Sequence, residues 1–392
     1  MNHKKLWGVG NKELRYIKEA LDSGLRGEFN KKLEKKFAKK FGVNFAIGVN
    51  SGLSALHCAL FACGIGPEDE VIVPPLTFAA PAFAALFLGA VPIFADVDPK
   101  TFNINPKDIE KKITKKTKAI IPVSLYGLPV NIDPIMDIAR KNNLRVIEDN
   151  AECMLGKYKG RTAGTEGDMS IFSFERSKHM TSGNGGMIIT NDEKLAEKAR
   201  KFSILGYATL SANQDSFKAN LDNVQHPSFK RHETIGFNYR LPEVCAAMAL
   251  AQLEKLDKLV GMRQKIAKLY DKAVKGCGWL TPQKTPKGFT NSYWTYAVKL
   301  DTDKVSWNDF RKVFVGLGGE RYYAAWIINY LEPALRKMRF PGHNINYGAG
   351  LCPIAEGLQP KLIQFKTNFG DLEYARSQAS ILKKTIEKFT RK

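Results

Sequence analysis

Between about residues 45 and 200, short β-rich apolar runs alternate with helical patterns. This alternation restricts the fold more than any other property of the chain. The runs are Phe45–Val49, Glu70–Val73, Val91–Asp98, Ala119–Val123, Val146–Asp149, Met169–Phe174 and Met187–Thr190. Helical stretches separate the earlier runs, beginning at Leu53, covering 82–88, starting again at Pro106 and covering 132–142. Strands joined through helices pair side by side as a mostly parallel sheet wrapped by helices. Ligands of such folds bind where the strands end. The residues just beyond each run are therefore where chemistry is expected.

Two of those ends carry a distinctive set of groups. The run through Val146-Ile147 closes on the acidic pair Glu148-Asp149. Met169–Phe174 stops just before Glu175-Arg176-Ser177-Lys178, and the glycines Gly183, Gly185 and Gly186 follow. A carboxylate at one strand end and a lysine at the next suit catalysis by pyridoxal phosphate (PLP). A lysine amine takes up the aldehyde, and a carboxylate keeps the ring nitrogen protonated so that the ring draws in electrons. Lys178 fits the first role and Asp149 the second. Ser173, five residues before Lys178, is placed to reach the phosphate. Asn50-Ser51-Gly52 turns a strand into a helix, and free amides at such a helix start cradle phosphate. Taken singly, each feature has a plainer reading: a surface lysine, a turn-capping aspartate, a glycine turn.

The blocks IEDNAE and GTEGDMSIFSFERSKHMTSGNGGMIITND resemble the DegT/DnrJ/EryC1/StrS family of sugar aminotransferases. Nearly the whole chain shares the resemblance. It implies an aspartate-aminotransferase-like (type I PLP) α/β fold, with a large domain over 12–270 and a smaller C-terminal α/β domain over 271–392. Lys178 is then the catalytic lysine. Ser51, Gly52 and Leu53 bind the phosphate through a block where the family usually carries threonine in place of Leu53. Either Ser51 or Ser54 supplies the hydroxyl. Phe78, in Pro74-Pro75-Leu76-Thr77-Phe78, is expected to stack on the cofactor ring. Asp149 meets the ring nitrogen, and Glu152 lies near the ring hydroxyl. Asn238, in Gly236-Phe237-Asn238-Tyr239-Arg240-Leu241, crosses to the partner's phosphate, which implies a homodimer with shared sites. The implied substrates are a nucleotide-linked deoxysugar and glutamate. Two other activities fit the same scaffold: a sugar dehydratase and a PLP-binding regulator without turnover. The dehydratase form replaces the lysine with histidine, so Lys178 argues against it.

Several positions depart from the family pattern. Ser124 stands where histidine is frequent, Leu128 where an amide is frequent, and Asn184 where glutamate is usual. The aromatic-rich 318–326 segment also differs, and is expected to face substrate. Trp7 is a further candidate for the sugar pocket, although packing suits it better. In the polar stretch 205–232, Arg231 and His232 are candidate diphosphate or sugar contacts.

The remaining composition narrows partners. The 392 residues carry 60 Lys+Arg against 39 Asp+Glu, a net charge of +21. Lysines decorate polar helix faces, as in Lys31–Lys40, with no aromatic-interleaved arginine cluster, so nucleic-acid binding is not expected. No run of apolar residues is long enough to cross a membrane, and the first residues lack a signal-peptide core. A cytoplasmic protein is the expectation. The six cysteines have no metal-ligand spacing and read as reduced packing residues, with no metal site.

Overall fold

The computed structural model describes residues 8–213, 226–343 and 345–390. Strands β1 (Phe45–Val49), β2 (Glu70–Val73), β3 (Val91–Phe94), β4 (Thr117–Ile120), β5 (Arg145–Asp149), β8 (Met169–Ser173) and β9 (Gly186–Thr190) form one sheet. Its order is β1-β9-β8-β5-β4-β2-β3. Pairing is parallel from β3 across to β8, and β9 is antiparallel to both β8 and β1. Six strands therefore point the same way and only β9 opposes them. β6 (Lys157–Tyr158) and β7 (Arg161–Thr162) form a hairpin that pairs with β11 (Phe289–Thr290).

The sheet is buried on both faces, and the two-residue strand period sorts its side chains. Ile47, Ile171 and Ile188 pack with helices α3 (Gly52–Ala62), α4 (Ala80–Phe87) and α7 (Glu193–Ser203). Ala46, Phe172, Met187 and Ile189 point oppositely, into a core shared with α1 (Asn11–Asp22), α2 (Glu28–Phe41) and helix Glu243–Leu253. Helices α5 (Pro106–Lys112) and α6 (Ile132–Asn142) cover the β4–β5 side.

A second, antiparallel sheet follows in the order β10-β12-β14-β13. Its strands are Leu280–Pro282 (β10), Thr295–Leu300 (β12), Tyr323–Ala324 (β13) and Leu362–Lys366 (β14). Helices Trp307–Gly316 and Leu372–Thr390 pack on it. Helix Leu256–Val274 joins the two regions: Leu256, Leu259 and Val260 belong to the α1–α2 core, whereas Ile266, Ala267 and Tyr270 belong to the second. Residues between β13 and β14 return to the large sheet. There the Asn329 amide donates to the Pro75 carbonyl (3.0 Å) and the Tyr347 hydroxyl to the Pro92 carbonyl (2.6 Å).

Candidate active site

The C-terminal ends of β1, β2, β4, β5 and β8 open on one cavity of about 680 Å³. Its opposite wall comes from the second sheet, through Trp294, Tyr323, Trp326 and Gln364. Sheet alternation chooses which acid reaches it. Glu148 turns the other way, and its carboxylate accepts amides of Gly164 (3.0 Å), Glu166 (2.9 Å) and Gly167 (2.8 Å). Asp149, the last residue of β5, borders the cavity and is 4% exposed. Its Oδ1 accepts the Ala151 amide at 2.9 Å. Burial pushes this carboxyl up to about 6, against the pull of the Ala151 amide and the Lys178 charge.

Lys178 sits on an irregular turn after β8, with its side chain 13% exposed. Its Nζ lies 3.3 Å from Glu152 Oε1 and 4.2 Å from the centre of the Trp294 ring. Glu152 is buried, and its other oxygen accepts the Tyr126 amide at 3.0 Å. Burial raises this carboxyl, and Lys178 opposes the rise. Tyr126 itself is held at φ +61° with its ring facing Trp326 at 6.4 Å. Such a conformation in a non-glycine residue is costly and is retained where packing enforces it.

At the far end of the cavity, α3 begins. Ser51 is its N-cap: the Ser51 hydroxyl accepts the Ser54 amide at 3.0 Å and lies 2.8 Å from the Ser54 hydroxyl. The Gly52 and Leu53 amides, in the first turn, have no carbonyl of their own helix to meet. Ser173 closes the cradle from β8: a Cβ on Gly52 would lie 3.0 Å from Ser173 Cβ. A Cβ on Gly186 would meet the Ser51 carbonyl oxygen at 2.5 Å, so glycine is required where β9 passes the turn. Phe78 borders the same cavity, 58% exposed, edge-on to Trp326 at 6.1 Å.

The structure thus gathers Ser51, Gly52, Leu53 and Phe78 with Asp149, Glu152, Ser173 and Lys178 around one cavity. Asn238 does not border it; it is exposed and bridges to Ile204. Arg231 and His232 are also exposed and outside it, with His232 Nδ1 2.7 Å from the Leu205 carbonyl. Trp7 and residues 214–225 of the polar loop lie outside the described residues.

The sequence signature of the DegT/DnrJ/EryC1/StrS aminotransferase family matches residues 9–367. The chain belongs to this family. As a DegT/DnrJ/EryC1/StrS aminotransferase it is a PLP-dependent enzyme of sugar amination. A GDP-perosamine synthase of Escherichia coli O157:H7 is 41% identical over 294 residues, 74% of this chain and 76% of that protein. An aminotransferase from Psychrobacter cryohalolentis superposes with a TM-score of 0.86 at 28% identity, covering 98% of this chain and 99% of that one. A GDP-4-keto-6-deoxymannose-3-dehydratase superposes with a TM-score of 0.83 at 26% identity, over 96% and 98% of the two chains.

The residues present fit the cofactor. A nearly enclosed carboxylate on the wall of a cavity calls for a cationic partner, and a protonated ring nitrogen is one. The glycine-lined helix start offers backbone amides to a phosphate without obstruction from side chains.

Two contributors escaped sequence reading. Trp294 reads simply as the start of a β-rich run. Arg263 donates to the Ser177 and Lys178 carbonyls from 1% exposure, and burial lowers its guanidinium to about 9. A signal for Arg263 was present. Leu256, Leu259, Val260, Ile266, Ala267 and Tyr270 form the buried stripe of their helix, and position 263 falls on that stripe.

Proposed function

We propose that this enzyme is a cytoplasmic homodimer that moves an amino group from glutamate to the keto carbon of a nucleotide-linked deoxysugar. The observation that carries this reading is the convergence of Lys178, Glu152 and Asp149 on one cavity wall, in a chain of a sugar-aminotransferase family. The similarity to proteins named GDP-perosamine synthase, and to the structure of a GDP-4-keto-6-deoxymannose-3-dehydratase, makes a GDP-linked 4-keto-6-deoxysugar the first substrate to assay.

Bound PLP supplies an aldehyde that takes up amines and a ring that draws electrons from the carbon beside the nitrogen. The protein residues do the rest. Asp149 holds a proton on the ring nitrogen from its buried position. The Gly52 and Leu53 amides and the Ser173 hydroxyl bind the phosphate, and Phe78 covers the ring face. Lys178 would hold the cofactor through Nζ, and the same amine is placed to move a proton from the α-carbon of the amino donor. Glu152, 3.3 Å from that nitrogen, orients it. Asn238 serves the phosphate of the partner subunit. The two walls face each other across the cavity that would hold the reacting atoms. Residues 12–270 and 271–392 act as the two domains whose junction forms the cavity.

Adding glutamate to the purified, cofactor-loaded enzyme should convert the visible absorbance band to the near-ultraviolet band of the aminated cofactor. A GDP-linked ketosugar should then restore the first band. Lys178→Ala should show neither change. A wild-type enzyme whose spectrum ignores glutamate would refute the aminotransferase reading and favour a regulator that binds PLP without turnover.

A further inference from the structure

Lys178 is the residue that must be placed most accurately, yet its turn belongs to neither strand nor helix. Locally, its amide donates to the Glu175 carbonyl at 3.0 Å, and the Glu175 carboxylate accepts the Ser177 amide at 2.8 Å and hydroxyl at 2.6 Å. The other restraints come from elsewhere in the chain. Arg263 Nη2 donates to the carbonyls of Ser177 (3.0 Å) and Lys178 (2.8 Å). Arg263 Nη1 donates to the Trp294 carbonyl (2.6 Å) and the Thr367 hydroxyl (3.1 Å). The Trp294 indole N–H donates to the same Ser177 carbonyl at 3.0 Å, while its ring face lies under Lys178 Nζ. The Thr367 hydroxyl lies 2.8 Å from the Trp294 carbonyl. One guanidinium thus joins the lysine turn, the start of β12 and the end of β14.

We propose that Arg263 is a positioning residue for Lys178: its planar fork ties the Ser177 and Lys178 carbonyls to Trp294, and so holds the lysine amine between the indole face and Glu152. This rests on Lys178 being the cofactor-bearing lysine. A lysine at 263 would keep the charge but lose the fixed fork that spans two sets of acceptors. A displacement of about 1 Å at a reacting group can lower rate by about 100-fold.

The test uses the cofactor-loaded full chain as Arg263→Lys, and as Arg263→Ala with and without millimolar methylguanidinium. Arg263→Lys should lower kcat with glutamate by about 10- to 100-fold, with KM changed by no more than about two-fold. The visible circular dichroism of the bound cofactor should weaken. In cofactor-free protein, hydrogen exchange at 177–180 should quicken. Methylguanidinium should restore part of the rate and the dichroism in Arg263→Ala. Should Arg263→Ala fail to fold, Arg263→Lys decides alone. Wild-type kcat and dichroism in the folded Arg263→Lys enzyme would overturn the proposal, as would a rate loss matching the unfolded fraction with unchanged exchange at 177–180. A cofactor still covalently attached in Lys178→Ala would instead sink the lysine assignment, whatever position 263 does.

Discussion

Asp149 shows how one side chain records the cofactor the cavity is built for. Its carboxyl stands near 6 because it is buried, against an ordinary value of 3.8. An acid raised on folding takes up its proton in the folded state first. In cofactor-free protein, stability should therefore rise as pH falls through 6 toward 3.8, and the burial cost is fully present above 6. Between pH 7.5 and pH 5 this group should contribute roughly 1–2 kcal/mol. Urea unfolding of the cofactor-free protein at both pH values should show that gain, and Asp149→Asn should have lost about that much of it. An equally steep profile in the variant would locate the titration elsewhere. The place of Asp149 at the cavity was legible because a β-rich run ends on it; the burial of Arg263 was legible only from its position on the apolar stripe of its helix. Lys258, Lys265, Lys268 and Lys272 lie on the exposed face of the same helix, so only its spacing with Leu256, Leu259, Val260, Ile266 and Tyr270 sets Arg263 apart from them. Only the arrival of β12 and β14 on the same side of the helix encloses it.

At the scale of elements, the joint between the two cavity walls depends on a turn without side-chain bulk. Gly127, at φ +104°, follows Tyr126, and a Cβ there would lie 2.4 Å from the Tyr293 nitrogen and 2.6 Å from that of Trp294. These are backbone atoms and cannot turn aside. Gly127→Ala should cost about 3 kcal/mol or more, because it combines a disfavoured φ with a backbone collision. Gly160→Ala, at φ +82° in the β6–β7 hairpin but with open space around it, should cost about 1 kcal/mol. Thermal unfolding of the two variants measures the contrast; equal losses would show that the close approach to β12 carries no weight. Most strands of the large sheet were readable, since their apolar runs end at polar or glycine-rich turns. β14 was not. It places Gln364 mid-strand, where that side chain is buried by bonding the Thr295 hydroxyl and the Ala324 carbonyl. A polar residue there breaks the apolar run that marks a core strand. The 318–326 segment was expected to face substrate, and Tyr323 and Trp326 border the cavity, where β13 pairs with β14.

For the whole molecule, the position of Asn238 outside its own cavity motivates a test of shared sites. In the proposed dimer, Lys178→Ala and Asn238→Ala should each be impaired. Mixed and allowed to exchange subunits, they should regain up to about a quarter of wild-type activity, since half the dimers then hold one intact site. No recovery despite demonstrated exchange would place both residues in service of the same chain. The returning segment between β13 and β14 has a consequence for biogenesis. It lies against β2 and β3 and gives Pro92 and Pro75 their partners, and the His343 ring meets Glu70 at 3.1 Å. A ribosome that has released only the first three hundred residues leaves that flank of the sheet bare. A nascent chain in that condition is a sticky strand edge awaiting its cover, so premature stop codons before the segment should yield aggregates instead of a shortened soluble enzyme.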